Sequence, residues 1–201
     1  MASVDSDSHA LRYVPRTVRG SVKILIAGDF GVGKTTLVAS VSEITPLRTE
    51  ETLTALSAGV DSLAGRDNKT RTTAALDFGR ITLNAEVALY LFGMPGQRRF
   101  WPLWEGLAEG AVGALLLVDT ARLAGAFEVV DQNERYGLPY VVAINLFDNA
   151  YQYPPDQVRD ALAVPATTPV MECDARERHS SAQALATLVE HALTRPAGAA
   201  Q

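Results

Sequence analysis

A glycine-rich segment near the N-terminus constrains this chain more than any other part of it. Residues 28–35 read GDFGVGKT and fit the pattern G-x-x-x-x-G-K-[ST]. The apolar run 22–27 predicts a buried strand before this segment, and residues 35–43 have helical character after it. Glycines allow backbone N–H groups to curl around phosphate oxygens, and a helix N-terminus adds positive potential. The sequence therefore predicts a phosphate-binding loop.

Two side chains of this loop have distinct expected roles. Lys34 reaches the β- and γ-phosphates as a point charge, and the hydroxyl of Thr35 ligates Mg²⁺. The other residues of the loop that we expect to contact the nucleotide are Gly28, Phe30, Gly31, Val32, Gly33 and Thr36.

The order of apolar runs along the chain predicts an α/β fold of the P-loop NTPase type. Predicted strands alternate with predicted helices, which implies a mostly parallel, six-stranded sheet with helices on both faces. One strand is expected to be antiparallel, because residues 74–83 and 86–92 are joined by a tight connection at Asn84. The remaining predicted strands are 111–118, 140–144 and 169–173, and the helical segments are 98–109 (helical or irregular), 122–136, 155–162 and 181–194.

Length and composition indicate one globular domain. The chain has 201 residues and a net charge of −5, so it lacks the basic character expected of a nucleic-acid-binding protein. Cys173 is the single cysteine, which excludes an internal disulfide, and no apolar run approaches the roughly 20 residues of a membrane span. We expect a flexible segment at 1–20, a domain at 21–195, a flexible tail at 196–201 and a cytoplasmic location. The long polar stretch 44–72 is expected to be a functional or mobile loop, with some helix around 54–63.

A second motif, after the predicted strand 140–144, points to the base of the nucleotide. Asn145-Leu146-Phe147-Asp148 resembles the N-K-x-D guanine element of Ras-like GTPases. A carboxylate at Asp148 can accept hydrogen bonds from guanine N1–H and its 2-amino group, whereas adenine has no such donors. By the same resemblance, Asn145 braces this loop against the phosphate loop, and Leu146 packs on the base where the family has lysine.

Two further segments resemble elements of Ras-like GTPases. Cys173-Asp174-Ala175 resembles the S-A element, in which the N–H of Ala175 would recognise the guanine oxygen with Asp174 beside it. Gly93-Met94-Pro95-Gly96-Gln97 lies where the family carries D-x-x-G-Q. The resemblance implies that Gly96 donates its N–H to the γ-phosphate and that Gln97 orients the attacking water.

The chain also resembles, more narrowly, actinomycete conservon GTPases and the related gliding-motility (MglA-like) switches. The segments that carry this resemblance are Thr72 with Asp77-Phe78-Gly79, then M-P-G-Q, F-W-P-L-W and E-C-D-A-R. It implies a GTP/GDP switch in bacterial signalling, with a roadblock-domain protein and a histidine-kinase-like membrane sensor as partners. It leaves open recruitment to the membrane by those partners.

The chain departs from the Ras-like pattern at two positions. Gly93 stands where the family has a carboxylate near Mg²⁺, and Phe30 stands near the γ-phosphate where a small residue is usual. Asp77 is the expected substitute for the carboxylate, although it could instead pair with an arginine. Thr73 is the expected switch ligand of Mg²⁺, with Thr72 as the alternative.

Hydrolysis is therefore expected to be slow, and a GTP-binding module with little or no hydrolysis is the alternative. A P-loop ATPase of another class is a third reading. Transition-state charge could come from Arg71, Arg98 or Arg99, which could equally be solvated surface residues.

Overall fold

The computed structural model describes residues 14, 17–52, 73–148 and 150–194, without the side chains at 48–52 and 73–75. In this part of the chain, seven strands form one sheet in the order β2-β3-β4-β1-β5-β6-β7. The strands are β1 (Gly20–Ala27), β2 (Leu47–Thr52), β3 (Thr73–Thr82), β4 (Val87–Gly93), β5 (Ala111–Val118), β6 (Tyr140–Asn145) and β7 (Val170–Cys173).

Helices cover both faces of the sheet. They are α1 (Lys34–Val41), α2 (Pro102–Ala108), α3 (Ala124–Arg135), α4 (Pro155–Ala161) and α5 (Arg178–Thr194), with short 3₁₀ turns at Arg98–Phe100 and Thr120–Arg122. The α/β class and the P-loop NTPase architecture predicted from the sequence are confirmed.

Strand β3 is antiparallel to both of its neighbours, whereas β4, β1, β5, β6 and β7 pair in parallel. The tight connection between β3 and β4 is confirmed. Asn84 closes it, because its Oδ1 accepts hydrogen bonds from the N–H groups of Glu86 (2.8 Å) and Val87 (2.9 Å).

The sheet has one strand more than the six predicted. Strand β2 reads LRTEET and pairs with β3 at the sheet edge, within the stretch expected to be a loop. Its polar sequence has none of the alternating apolar residues that identify a half-buried strand. The helix expected around 54–63 lies outside the described residues.

The core consists of two layers, because successive residues of a strand point to opposite faces. On one face, Ile24 and Ile26 of β1 pack with helices α1 and α5. On the other, Leu25 and Ala27 pack with residues of α2, α3 and α4. Strands buried on both faces explain the continuous apolar runs seen in the sequence.

Helix boundaries differ from the predicted ones at several ends. Helix α5 begins at Arg178, three residues before the predicted start, and the segment 98–109 divides into a 3₁₀ turn and α2. Asp119 caps the 3₁₀ turn after β5 by accepting a hydrogen bond from the N–H of Ala121 (2.9 Å). Among the described residues, no helix has the length and apolar character needed to cross a bilayer.

Candidate nucleotide-binding site

The predicted site residues lie at the carboxyl-terminal ends of the parallel strands. Strand β1 leads into residues 28–33, β4 ends at Gly93, β6 ends at Asn145 and β7 ends at Cys173. Strand β1 has β4 on one side and β5 on the other, so the order of the sheet reverses there. In open α/β sheets, the crevice at such a reversal is where ligands bind.

The phosphate loop needs glycine at positions where its backbone turns most sharply. Gly33 has a φ of 101°, and a Cβ atom there would lie 2.6 Å from Nδ2 of Asn145. Gly28 has a φ of 148°, and a Cβ atom would lie 2.4 Å from the carbonyl oxygen of Leu117. Side chains at either position would therefore displace neighbouring elements, as well as straining the backbone.

Lys34 begins helix α1 directly after Gly33. Its Nζ donates hydrogen bonds to the carbonyl oxygens of Gly28 (2.9 Å) and Asp29 (2.6 Å). Burial lowers the pKa of Lys34 to about 8, against the opposing influence of the Asp29 and Asp77 carboxylates. The ammonium group is thus held over the loop at a helix N-terminus, where it and the N–H groups can attract an anion.

Thr35, on helix α1, contacts Asp77 on strand β3. The hydroxyl of Thr35 donates a hydrogen bond to Oδ2 of Asp77, which is 9% exposed. Asp77 lies opposite Gly93 in the antiparallel register. A Cβ atom on Gly93 would lie 2.9 Å from Cβ and 3.3 Å from Oδ2 of Asp77, so the carboxylate takes the space that a side chain at position 93 would need.

A cavity of about 530 Å³ joins the phosphate loop to the segment after β4. Gly96 packs directly on the loop, since a Cβ atom there would lie 2.6 Å from the backbone nitrogen of Phe30. The aromatic side chain of Phe30 is 66% exposed beside the cavity. Residues that line the cavity include Phe30, Gly31, Gly33, Lys34, Thr35, Thr36, Asp77, Gly96, Gln97 and Arg99.

Asn145 connects the phosphate loop to the two segments predicted to bind the base. Its Nδ2 donates a hydrogen bond to the carbonyl oxygen of Val32 (2.9 Å), and its Oδ1 accepts one from the N–H of Ala175 (3.0 Å). Asn145 is 7% exposed, and Val32 and Ala175 are buried. Leu146 is tied to β7 as well, because its N–H donates to the carbonyl oxygen of Cys173 (2.9 Å).

Asp148 and Asp174 are linked by Arg176, which is not among the site residues predicted from the sequence. Nη1 of Arg176 donates a hydrogen bond to Oδ2 of Asp148 (2.7 Å). Its Nε and Nη2 donate to the two carboxylate oxygens of Asp174 (2.9 and 2.8 Å). These hydrogen bonds hold the pKa of both carboxyl groups below the usual range. The sequence signal was the arginine of E-C-D-A-R, but its contact with Asp148 spans 28 residues and depends on the fold.

Another arginine, Arg122, lies beside the phosphate loop. Arg122 pairs with Asp119 at the end of β5 (Nε to Oδ2, 3.0 Å), and its guanidinium lies 3.4 Å from the position of a Cβ atom on Gly31. Of the arginines considered from the sequence, Arg98 pairs with Glu128, and Arg99 lines the cavity. Arg71, Thr72 and the side chain of Thr73 lie outside the described residues, so the position of the switch threonine stays a prediction.

Comparison with known proteins gives one curated relative at moderate identity and many similar folds. An uncharacterized protein of Methanocaldococcus jannaschii is 27% identical over 132 residues, which is 65% of this chain and 73% of the relative. The G domain of the T. maritima FeoB iron transporter has a TM-score of 0.55 at 17% identity and covers 86% of this chain and 97% of its own. The FeoB G domain from Methanococcus jannaschii has a TM-score of 0.58 at 13% identity and covers 87% and 99%.

These structures show that the fold is that of a G domain. The narrower resemblance to conservon and gliding-motility proteins stays a prediction from the sequence. A family model described as "Conserved hypothetical ATP binding protein" matches residues 26–195, which takes in every element of the candidate site. The chain is therefore a nucleotide-binding protein with the fold of a G domain, and it belongs to the family of conserved hypothetical ATP-binding proteins.

Proposed function

We propose that this protein binds GTP and GDP with Mg²⁺ and acts as a molecular switch that hydrolyses GTP slowly. The proposal rests on the position of Asn145, which is hydrogen-bonded to the phosphate loop at Val32 and to the base-side loop at Ala175. A phosphate-binding loop and a guanine-binding loop act on one nucleotide only if they are held at a set separation. The two buried hydrogen bonds of Asn145 supply that constraint.

The choice of guanine rests on Asp148, directly after β6. A base whose edge binds against this carboxylate displaces its water, so that edge must supply hydrogen-bond donors in return. Guanine offers N1–H and the 2-amino group at one edge, and adenine offers neither. The second candidate function is ATP binding, which the description of the family favours.

The residues beside the phosphate loop are suited to Mg²⁺. The Thr35 hydroxyl donates its hydrogen bond to Asp77, which leaves the oxygen lone pairs of Thr35 available to a cation. Mg²⁺ is coordinated by oxygen and is commonly held by one or two protein ligands, phosphates and water. Thr35 would hold the ion directly, Asp77 would stand in for the carboxylate missing at Gly93, and Thr73 would join when GTP is present. The bound ion would neutralise charge on the phosphates.

Hydrolysis depends on two requirements that this site meets unequally. Gln97 lines the same cavity as Lys34 and Thr35, where it can orient a water molecule towards the γ-phosphate. No side chain is assigned to stabilise the charge that develops on the γ-phosphate, although Arg99 also lines the cavity. Exposed Phe30 beside the cavity restricts access by an incoming arginine and favours the alternative function, a GTP-binding module with little or no hydrolysis.

The cellular role follows from the sequence resemblance alone. We infer a cytoplasmic switch in bacterial signalling, with a roadblock-type protein that modulates hydrolysis and a histidine-kinase-like sensor that recruits it to the membrane. GTP-loaded and GDP-loaded protein should differ in their capture of such a partner, because the γ-phosphate orders the switch segments.

Nucleotide selectivity tests the function directly. Wild-type protein should bind GDP at least ~100-fold more tightly than ADP in calorimetric titration with Mg²⁺ present, since a few kcal/mol of polar base contacts separate them. Asp148→Asn should weaken GDP and strengthen xanthosine diphosphate, because the 2-substituent changes from a donor to an acceptor. Asp131→Asn, at an exposed position on α3, is the matched control. Equal affinities of the wild type for GDP and ADP would reject selective binding of guanine nucleotides.

A further inference from the structure

Arg176 is hydrogen-bonded to Asp148, the carboxylate on which the proposed selection of the base depends. Its Nη1 lies 2.7 Å from Oδ2 of Asp148, and the two side chains are 50% and 76% exposed. The two residues belong to different loops, one after β6 and one after β7. Their contact therefore lies at the edge of the site where the base is expected, and not within the core.

Asp174 holds Arg176 in this orientation. Its carboxylate accepts hydrogen bonds from both Nε and Nη2 of the guanidinium. Its Oδ1 also accepts a hydrogen bond from the backbone N–H of Arg176 (2.9 Å). A two-pronged arginine–carboxylate contact fixes the plane of the guanidinium as well as its position. Nη1 is consequently directed across the gap towards Asp148, which makes Asp174 a positioning residue for the arginine.

The guanidinium and guanine offer the same chemistry to Asp148. Guanine presents neighbouring N–H donors to a carboxylate, and so does arginine. A guanine base must displace Arg176 from Asp148 to make its own hydrogen bonds. An adenine base has no donor for Asp148. The carboxylate still has a partner when adenine is bound, because its hydrogen bond to Arg176 can remain in place.

We propose that Arg176 is a specificity-determining residue that competes with guanine for Asp148 and lowers the cost of accepting adenine. This inference rests on the proposed function and adds a consequence to it. The preference of the protein for guanine over adenine nucleotides is smaller than Asp148 alone would produce. The description of the family as ATP-binding is consistent with a reduced preference for guanine over adenine.

The test replaces Arg176 with methionine, which keeps an unbranched side chain and removes the donors. GDP and ADP are the probes, because diphosphates avoid hydrolysis during titration. Arg176→Met should strengthen GDP by about two- to fivefold and weaken ADP by about the same factor, the size expected for a solvent-exposed ion pair. Arg178→Met removes a charge two residues away, at the exposed start of α5, and should leave both affinities unchanged.

A second arm asks whether the effect passes through Asp148. In an Asp148→Asn background, Arg176→Met should change the affinity for ADP, the probe shared by all four proteins, less than twofold, because the carboxylate is gone. A double-mutant cycle of this kind isolates the coupling between the two side chains. Circular dichroism of each variant checks that the fold is retained.

The outcomes separate this inference from the proposed function. Equal weakening of GDP and ADP by Arg176→Met would overturn it, since that result indicates an arginine that stacks on either base. An effect that persists in the Asp148→Asn background would overturn it too. If the wild type prefers GDP, Asp148→Asn removes the preference and Arg176→Met has no effect, only the role of Arg176 is rejected. A wild type without guanine preference, unaffected by Asp148→Asn, would reject the proposed function.

Discussion

Asp77 and Gly93 lie opposite each other on neighbouring antiparallel strands, and the side chain of the first fills the space beside the second. The separation of 2.9 Å between Cβ of Asp77 and a Cβ atom built on Gly93 is shorter than any ordinary carbon–carbon contact. An aspartate at position 77 and a side chain at position 93 are therefore incompatible without movement of a strand. The carboxylate that the sequence lacks at the end of β4 is present on β3, bonded to Thr35.

Removal of this carboxylate should change the metal dependence of nucleotide binding. Asp77→Ala leaves the Thr35 hydroxyl without its acceptor, so we expect the Mg²⁺ concentration needed for GTP binding to rise by more than tenfold, or over ~1.4 kcal/mol. Titration of Mg²⁺ at fixed nucleotide measures the change, with GDP binding in EDTA as a metal-independent reference. An Asp77→Ala protein with wild-type Mg²⁺ dependence would remove Asp77 from the metal site.

Substitution of Gln97 should separate hydrolysis from binding. We expect intrinsic turnover below ~1 s⁻¹, the lower end of ordinary enzymes, because water positioning has a candidate residue while charge neutralisation has none assigned. Gln97→Leu should slow single-turnover GTP hydrolysis further and leave GTP affinity nearly unchanged. Hydrolysis at the wild-type rate in that variant would show that Gln97 does not position the water.

Loss of the Lys34 ammonium should abolish nucleotide binding without unfolding the protein. The group is directed at loop carbonyls and the phosphate site, and no core packing depends on its charge. Lys34→Ala should therefore show native circular dichroism and no measurable GTP binding by titration. Unchanged GTP affinity in a folded Lys34→Ala protein would contradict the assigned role.

The lowered pKa of Lys34 predicts proton-linked binding. With a pKa of about 8 before nucleotide binds, the ammonium is increasingly deprotonated above that pH, whereas bound phosphates favour the charged form and raise the pKa. The complex then holds more protons than the protein alone, so GTP affinity should be flat below about pH 7 and fall above pH 8. Lys34→Arg, whose charge persists, should lose this slope. An identical slope in wild type and Lys34→Arg would assign it to another group.

The hydrogen bonds of Asn145 predict a combined loss of stability and affinity. Asn145→Ala leaves the buried Val32 carbonyl and the Ala175 N–H without partners, at a cost of about 1–3 kcal/mol each when no water replaces them. Denaturant unfolding should show the lower stability, and GDP should bind more weakly. Asp131→Asn, at an exposed position on α3, is the control and should leave both stability and affinity unchanged. Wild-type stability in Asn145→Ala would indicate that the two loops are held by other contacts.

Local sequence patterns predicted much of the fold. The strand, glycine loop and helix around residues 22–43 were recognisable because glycine spacing and apolar runs act over a few neighbouring residues. The Asn84 connection was recognisable for the same reason. Strand β2 was missed, since an edge strand of polar residues gains its hydrogen bonds from a partner and leaves no apolar pattern of its own.

The sequence by itself determined the phosphate loop, the alternation of strands and helices, and which polar residues follow the strands. The tertiary structure decided which of those residues meet. The register of β3 against β4 places Asp77 opposite Gly93, and the parallel pairing of β6 with β7 brings Arg176 to Asp148. Such contacts depend on strand order and register, which arise from the packing of the whole sheet and are not encoded in any short segment.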